Sequence, residues 1–287
     1  MNQKIDEYLR WKSSYAKTAG NAYEYPLKKY FLKIQKSARD IKLEDIVSLQ
    51  IEMNRKLAPA TSAYYMSIFK DFLGYLYTKT ETSINPRLLR IPRYVASEKY
   101  VATSGDLEQM LKVLDPYKFT ELRNRVMLLM LYDTGIRISE LVGMNISQLR
   151  NNSQAVIHTS KTTRSRLIMW SESTNSELLQ YLGVRLTLDE TGKSEHLFVS
   201  TRGTEMPRIT TRQVQRIILG IRELAGLEGK LTAHSFRHHK AHDMVDRGAN
   251  VKEIASVLGH SEENPVAAFQ YLRQSQNELK KVLERFI

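Results

Sequence analysis

The chain has 287 residues, with 43 Lys and Arg against 31 Asp and Glu, a formal net charge of +12. That length allows one large or two ordinary domains with real cores, and the positive excess favours a polyanionic partner, nucleic acid ahead of a membrane surface. The absence of cysteine excludes disulfides, thiol catalysis and Cys-based zinc sites. No apolar run reaches the ~18–20 residues of a membrane span, and MNQKIDEYLRWK lacks a signal-peptide core. The expectation is a cytoplasmic protein with no membrane partner.

Residues 1–80 read as helices throughout. IDEYLRWKSSY opens the chain. In AYEYPLKKYFLKIQ, residues Leu27, Tyr30, Phe31 and Ile34 recur at helical spacing, and Pro26 suits a first turn better than a helix interior. LEDIVSLQIEMNRK repeats the pattern. PATSAYYMSIFKDFLGYLYTK then carries Tyr65, Ile68, Phe69, Phe72, Leu73, Leu76 and Tyr77 as one apolar stripe, the mark of a core face. The region reads as a compact four-helix domain. Residues 81–102 read as a linker, because Asn85-Pro86 and Ile91-Pro92 interrupt any helix. Arg87, Arg90 and Arg93 are spaced along it, either to track a phosphate backbone or simply to face water.

Residues 103–287 read as a second domain. SGDLEQMLKVLD has a helix start signal. ELRNRVMLLMLYDTG is apolar almost all round and reads as a buried helix ended by Gly135. After IRISELVGMN, the runs 154–160 and 165–170 read as strands joined by a KTTR hairpin, with 197–200 as a candidate third strand. TTRQVQRIILGIREL resumes helix. The expected fold is mainly α: an N-terminal four-helix domain, then a mainly α domain with a small antiparallel β-sheet.

The chemistry-bearing residues gather between 234 and 271. His234 and Arg237, three apart on a helix, share a face and can reach one small anion. Phosphate suits them, because a guanidinium offers a planar two-pronged donor. His260 follows Gly259, and Tyr271 is the only tyrosine after Tyr181. His234, His238 and His242 at i, i+4 spacing also suggest a metal cluster, although no Cys or well-placed carboxylate completes it. Arg137 can pair with Glu140, one helical turn on.

Taken together, TGIRISEL (134–141), Lys161 in its hairpin, HSFRHH (234–239), LGH (258–260) and Tyr271 resemble the tyrosine recombinase/integrase family. The order matches Arg, Lys, His-x-x-Arg, His, Tyr. ATSAYYMSIFKDFLGYLY followed by INPRLLRIPR is similar to the family's core-binding domain. The resemblance implies a site-specific DNA recombinase that cuts and rejoins duplex DNA through a 3′-phosphotyrosyl intermediate, as a homo-tetramer on two sites. The implied catalytic residues are Arg137, Lys161, His234, Arg237, His260 and Tyr271, without metal or cofactor. Tyr271 would be the nucleophile, Arg137 and Arg237 the phosphate ligands, and Lys161 the proton donor to the leaving 5′-oxygen, with Arg164 and Arg166 as other cations in that hairpin. His234 would assist proton transfer, His260 would hydrogen-bond the phosphate, and Glu140 would orient a catalytic side chain. Two other readings are a type IB topoisomerase-like nicking and resealing enzyme, and a DNA-binding protein whose site has decayed.

One departure from the pattern concerns the tyrosine, which stands eleven residues after His260, where family members place it nine or ten later; Phe269 occupies a usual offset. In the tail, Leu279, Val282, Leu283, Phe286 and Ile287 form a narrow apolar face. That face folds back on its own domain or, as the resemblance implies, docks in trans on a neighbouring protomer.

Overall fold

A computed structural model describes residues 1–16, 19–92, 94, 99–151, 153–158, 165–189, 194–201 and 206–259. The chain divides into two compact units, Met1–Glu98 and Lys99–Ile287.

The first unit is built from α1 (Asn2–Tyr15), α2 (Ala19–Lys29), α3 (Leu43–Lys56) and α4 (Pro59–Thr78). Helix α4 starts at a proline whose missing N–H costs nothing in the first turn, and it buries Met66, Phe69, Phe72, Leu73 and Leu76. Phe31 meets Phe69 and Phe72 edge-on at 5.3 and 5.2 Å, the preferred geometry for aromatic pairs. Two expectations are corrected here. Pro26 lies inside α2, one turn before its end, where only the hydrogen bond back to the previous turn is forfeited. Tyr77 is 44% exposed, because the buried face of α4 is carried by Tyr75 and Leu76 in that turn. Beyond α4, Ile84 and Leu89 pack into the same core, and Pro86–Leu88 forms a single 3-10 turn capped by Asn85. Arg87 and Arg90 face solvent.

In the second unit, α5 (Ser104–Lys112) opens with a capping box: Thr103 Oγ1 accepts from the Asp106 N–H and Asp106 Oδ2 accepts from the Thr103 N–H. Helix α6 (Phe119–Thr134) is buried along most of its length, including Val126 through Leu131. It ends at Gly135, whose φ of 60° is left-handed backbone that glycine adopts without strain. A short α7 (Ile138–Val142) follows, then an antiparallel sheet of β1 (Leu149–Arg150), β2 (Gln154–His158) and β3 (Ser165–Met169), in which Ala155 pairs with Ile168 and Ile157 with Arg166. The third strand is thus 149–150 rather than 197–200. Leu197, Phe198 and Val199 are fully buried instead: the Leu197 N–H donates to the Met144 carbonyl, the Phe198 carbonyl accepts from the Ile209 N–H, and only isolated bridges, His196 with Asn145 and Val199 with Arg208, flank the bend between them.

Helix α8 (Glu172–Leu188), which the sequence reading did not single out, packs on α6. Asp133 ties its start to the end of α6 by accepting from Ser171 N and Oγ and from Thr174 Oγ1. Helices α9 (Thr211–Leu224), α10 (Ala233–Asp246) and α11 (Val251–Leu258) complete the unit, with α10 against α6 and α11 against β3. Among the described residues no helix is long and apolar enough to cross a membrane.

Candidate active site

Three chain reversals bring the site together. Gly135 ends α6, and two residues later Arg137 stands at the start of α7, held there because Glu140 Oε2 accepts the Arg137 backbone N–H at 3.0 Å. Helix α10 starts at Thr232, whose N–H donates to Ser235 Oγ, and this places His234 in the first turn and Arg237 in the next. Helix α11 starts at Asn250, whose Oδ1 accepts from the N–H groups of Lys252 and Glu253, and ends at Gly259 with φ 66°.

Arg237 is 5% exposed and joins two of these reversals: Nη1 donates to the Gly135 carbonyl at 2.8 Å and Nη2 donates to the Leu258 carbonyl. Arg137 sits beside it, donating from Nη2 to the Gly259 carbonyl at 2.8 Å and from Nη1 to Glu140 Oε1 at 3.0 Å. Its side chain is 33% exposed while that of Glu140 is 4% exposed, so the guanidinium is presented at the surface and its counter-charge lies beneath. Arg166, on β3, completes the cluster by donating in parallel to both Glu140 oxygens, at 3.0 and 2.6 Å. Among the described residues three guanidinium groups gather about this one carboxylate, so the cluster is net positive and poised for an anion.

Burial pushes the Glu140 carboxyl up, but the Arg166 hydrogen bond and charge, then the Arg137 N–H and charge, outweigh it and hold the group below its ordinary range. Glu140 therefore stays ionised. Burial, reinforced by Arg237, Lys99 and Arg137, holds His234 below its ordinary value, so it is a neutral imidazole at pH 7. The other α10 histidines are also neutral: burial, then Lys99 and His234, bring His238 down to about 4, and burial lowers His239 and His242. His239 lies flat on the Tyr132 ring, 4.1 Å between centroids, a packing role. Among the described residues no three His, Asp or Glu side chains come together in an arrangement able to hold a metal.

Of the residues singled out from the sequence, Arg137 at the start of α7 and His234 and Arg237 on α10 fall on two elements that meet the backbone turns at Gly135 and Gly259. Lys161, His260, Tyr271 and the tail lie outside the described residues. Arg166 had entered the sequence reading only as another cation of the hairpin. A signal was available: Arg166 alternates with Ile168 on the inward side of β3, where a charge requires a buried partner.

The described arrangement is a mainly helical unit that presents clustered guanidinium groups and a neutral imidazole at one site. Residues 101–278 match the Phage integrase family, and the chain belongs to that family, the tyrosine recombinases. It is accordingly an enzyme of site-specific recombination. The tyrosine recombinase XerC of Thermodesulfovibrio yellowstonii is 28% identical over 252 residues, 84% of this chain and 81% of that one. Among solved structures, the XerH site-specific recombinase bound to palindromic difH in a post-cleavage complex aligns with a TM-score of 0.77 at 19% identity, over 97% of this chain and 83% of that one. The Tn1549 transposon integrase in complex with a circular intermediate DNA aligns with a TM-score of 0.78 at 15% identity, over 99% of this chain and 98% of that one.

Proposed function

We propose that the chain cuts and rejoins duplex DNA at specific sites through a 3′-phosphotyrosyl link at Tyr271. The observation that carries this reading is the meeting of Arg137 and Arg237 at the carbonyls of Gly135, Leu258 and Gly259, beside a neutral His234. In-line attack on a phosphodiester builds negative charge on its non-bridging oxygens. Two guanidinium groups already fixed by backbone carbonyls stabilise that charge with little reorganisation, and burial strengthens their field.

In this reading the Tyr271 oxygen bonds to phosphorus, the 5′-oxygen leaves, and Lys161 supplies its proton. His234, neutral at pH 7, assists proton transfer at Tyr271, and His260 hydrogen-bonds the phosphate. One phosphate ester replaces another, so the step is reversible without an energy source. Residues 1–80 form the core-binding domain and 103–287 the catalytic domain; of the joining segment 81–102, Ile84 and Leu89 anchor in the first core while Arg87 and Arg90, which face solvent, follow the DNA. The complexes of the XerH recombinase and the Tn1549 integrase with DNA support duplex DNA as the partner. Four protomers act on two sites, each C-terminal helix docking in trans.

The test is exchange between two duplexes that carry the same site. A recombinase yields products with exchanged flanks; relaxation of a supercoiled plasmid without exchange is the topoisomerase outcome and overturns the reading. Deletion of residues 277–287 separates the modes of tail docking. Trans docking yields a folded chain that binds one site and fails to pair two, whereas normal exchange rules it out.

A further inference from the structure

We infer that Arg166 is a positioning residue of the reaction: through Glu140 it sets the Arg137 guanidinium, and its face against Gly259 ties the β2–β3 hairpin to the end of α11. This rests on the reading of Arg137 as a phosphate ligand.

Three observations carry it. Both Glu140 oxygens are filled by four N–H donors, two from Arg137 and two from Arg166, so the carboxylate has no lone pair left for proton transfer and serves to hold its partners. Of those partners, Arg137 is the one presented to solvent, and Arg166 is the inner clamp, with a side chain 10% exposed. The Arg166 guanidinium also lies so close over Gly259 that a Cβ there would collide with its Nη1 and Cζ. Gly259 is the residue whose carbonyl takes Arg137 Nη2, and it precedes His260 in the chain. Arg166 thus braces both supports of Arg137, the carboxylate and the carbonyl, from strand β3.

A stability role alone accounts poorly for this residue. Replacing a buried ion pair by apolar side chains of similar volume is often neutral or stabilising. What an apolar pair cannot do is fix the direction of the Arg137 fork.

The test uses the full chain and a nicked duplex carrying a site recovered by covalent capture with the unmodified protein. Arg166→Ala should slow single-turnover capture about 100-fold, the cost of displacing a reacting group by about 1 Å, while affinity for the duplex holds. The decisive readout is coupling: in an Arg137→Lys background the same change should cost less than about threefold, because the residue it positions is already impaired. A merely structural role costs the same factor in both backgrounds and overturns the inference, as does an undiminished rate in Arg166→Ala. Should Arg166→Ala fail to fold, Arg166→Lys is read identically, since it keeps the charge but offers Glu140 no parallel pair of donors. Absence of capture by the unmodified protein overturns the functional reading, and this inference with it.

Discussion

Glu140→Gln isolates the electrostatic centre of the site. The substitution keeps the shape of the side chain and one acceptor oxygen. It turns the other oxygen into an NH2 facing donors, where Oε2 now takes the Arg137 N–H at 3.0 Å and Arg166 Nη2 at 2.6 Å. Two hydrogen bonds to a charged group are lost, each worth about 1.5–3 kcal/mol. Two guanidinium groups also lose their counter-charge at a position only 4% exposed. Breaking a buried pair from one side costs about 3–5 kcal/mol, so the expected loss is about 4 kcal/mol, or a Tm lower by about 10 °C for a unit of this size. The protein has two tryptophans, Trp11 in the first unit and Trp170, 7% exposed, in the core of the second. In a Trp11→Phe background, urea unfolding followed by Trp170 fluorescence therefore reports the unit that holds Glu140. The pH dependence sharpens the test. Because the folded carboxyl lies below its ordinary 4.5, its contribution is complete above that value and is lost as pH falls through the folded one. The gap between parent and variant should be full at pH 7 and should narrow only in acid, as pH falls below 4.5 and through the lowered folded value. A gap under about 1 kcal/mol at pH 7, the worth of an exposed pair, or one that persists unchanged into acid would refute the argument.

Gly135→Ala should cost about 3 kcal/mol in the same assay: left-handed backbone penalises a side chain by about 1–2 kcal/mol, and the added Cβ would meet Leu258 Cδ2 and Lys240 Cβ at 2.9 Å. Acid should destabilise the second unit before the carboxylates titrate. His238 is lowered from 6.5 to about 4, so its stabilising contribution is complete above pH 6.5 and lost towards pH 4, about 2 kcal/mol after solvent screening. His238→Gln should flatten urea stability over that window, and an unchanged slope would contradict the burial argument. DNA binding should weaken with salt at a slope of about −0.9 in log K per neutralised phosphate, and a flat response would deny the basic clamp.

The mainly helical fold with a small antiparallel sheet was legible because the residues that determine it repeat at fixed periods. The stripe of α4 and the all-round apolarity of α6 both describe elements whose burial the structure shows. What was illegible depends on partners distant in sequence. Helix α8 carries exposed Leu179 and Leu186 beside buried Leu178 and Tyr181, so its apolar residues mark no single face; its Ser171 cap is local, but the Asp133 bonds that tie that start to α6 come from some forty residues upstream. The run 197–200 has strand composition, yet apolar burial suits a bent segment held by isolated bridges as well. At the site, the i, i+3 relation made the Arg137–Glu140 pair readable, whereas the Arg166–Glu140 pair spans 26 residues and leaves only a charge on the inward side of a strand as its trace.

The central claim is that Tyr271 becomes covalently joined to DNA, and covalent capture on a nicked duplex tests it most directly. The unmodified chain should give a complex resistant to denaturing detergent, with the nucleotide mapped by mass spectrometry to the peptide that contains Tyr271 and a free 5′-hydroxyl on the released strand. Tyr271→Phe, which removes only the reacting oxygen, should bind the same duplex with unchanged affinity and give no adduct. An adduct that persists in Tyr271→Phe, or one mapped to another residue, would contradict the account.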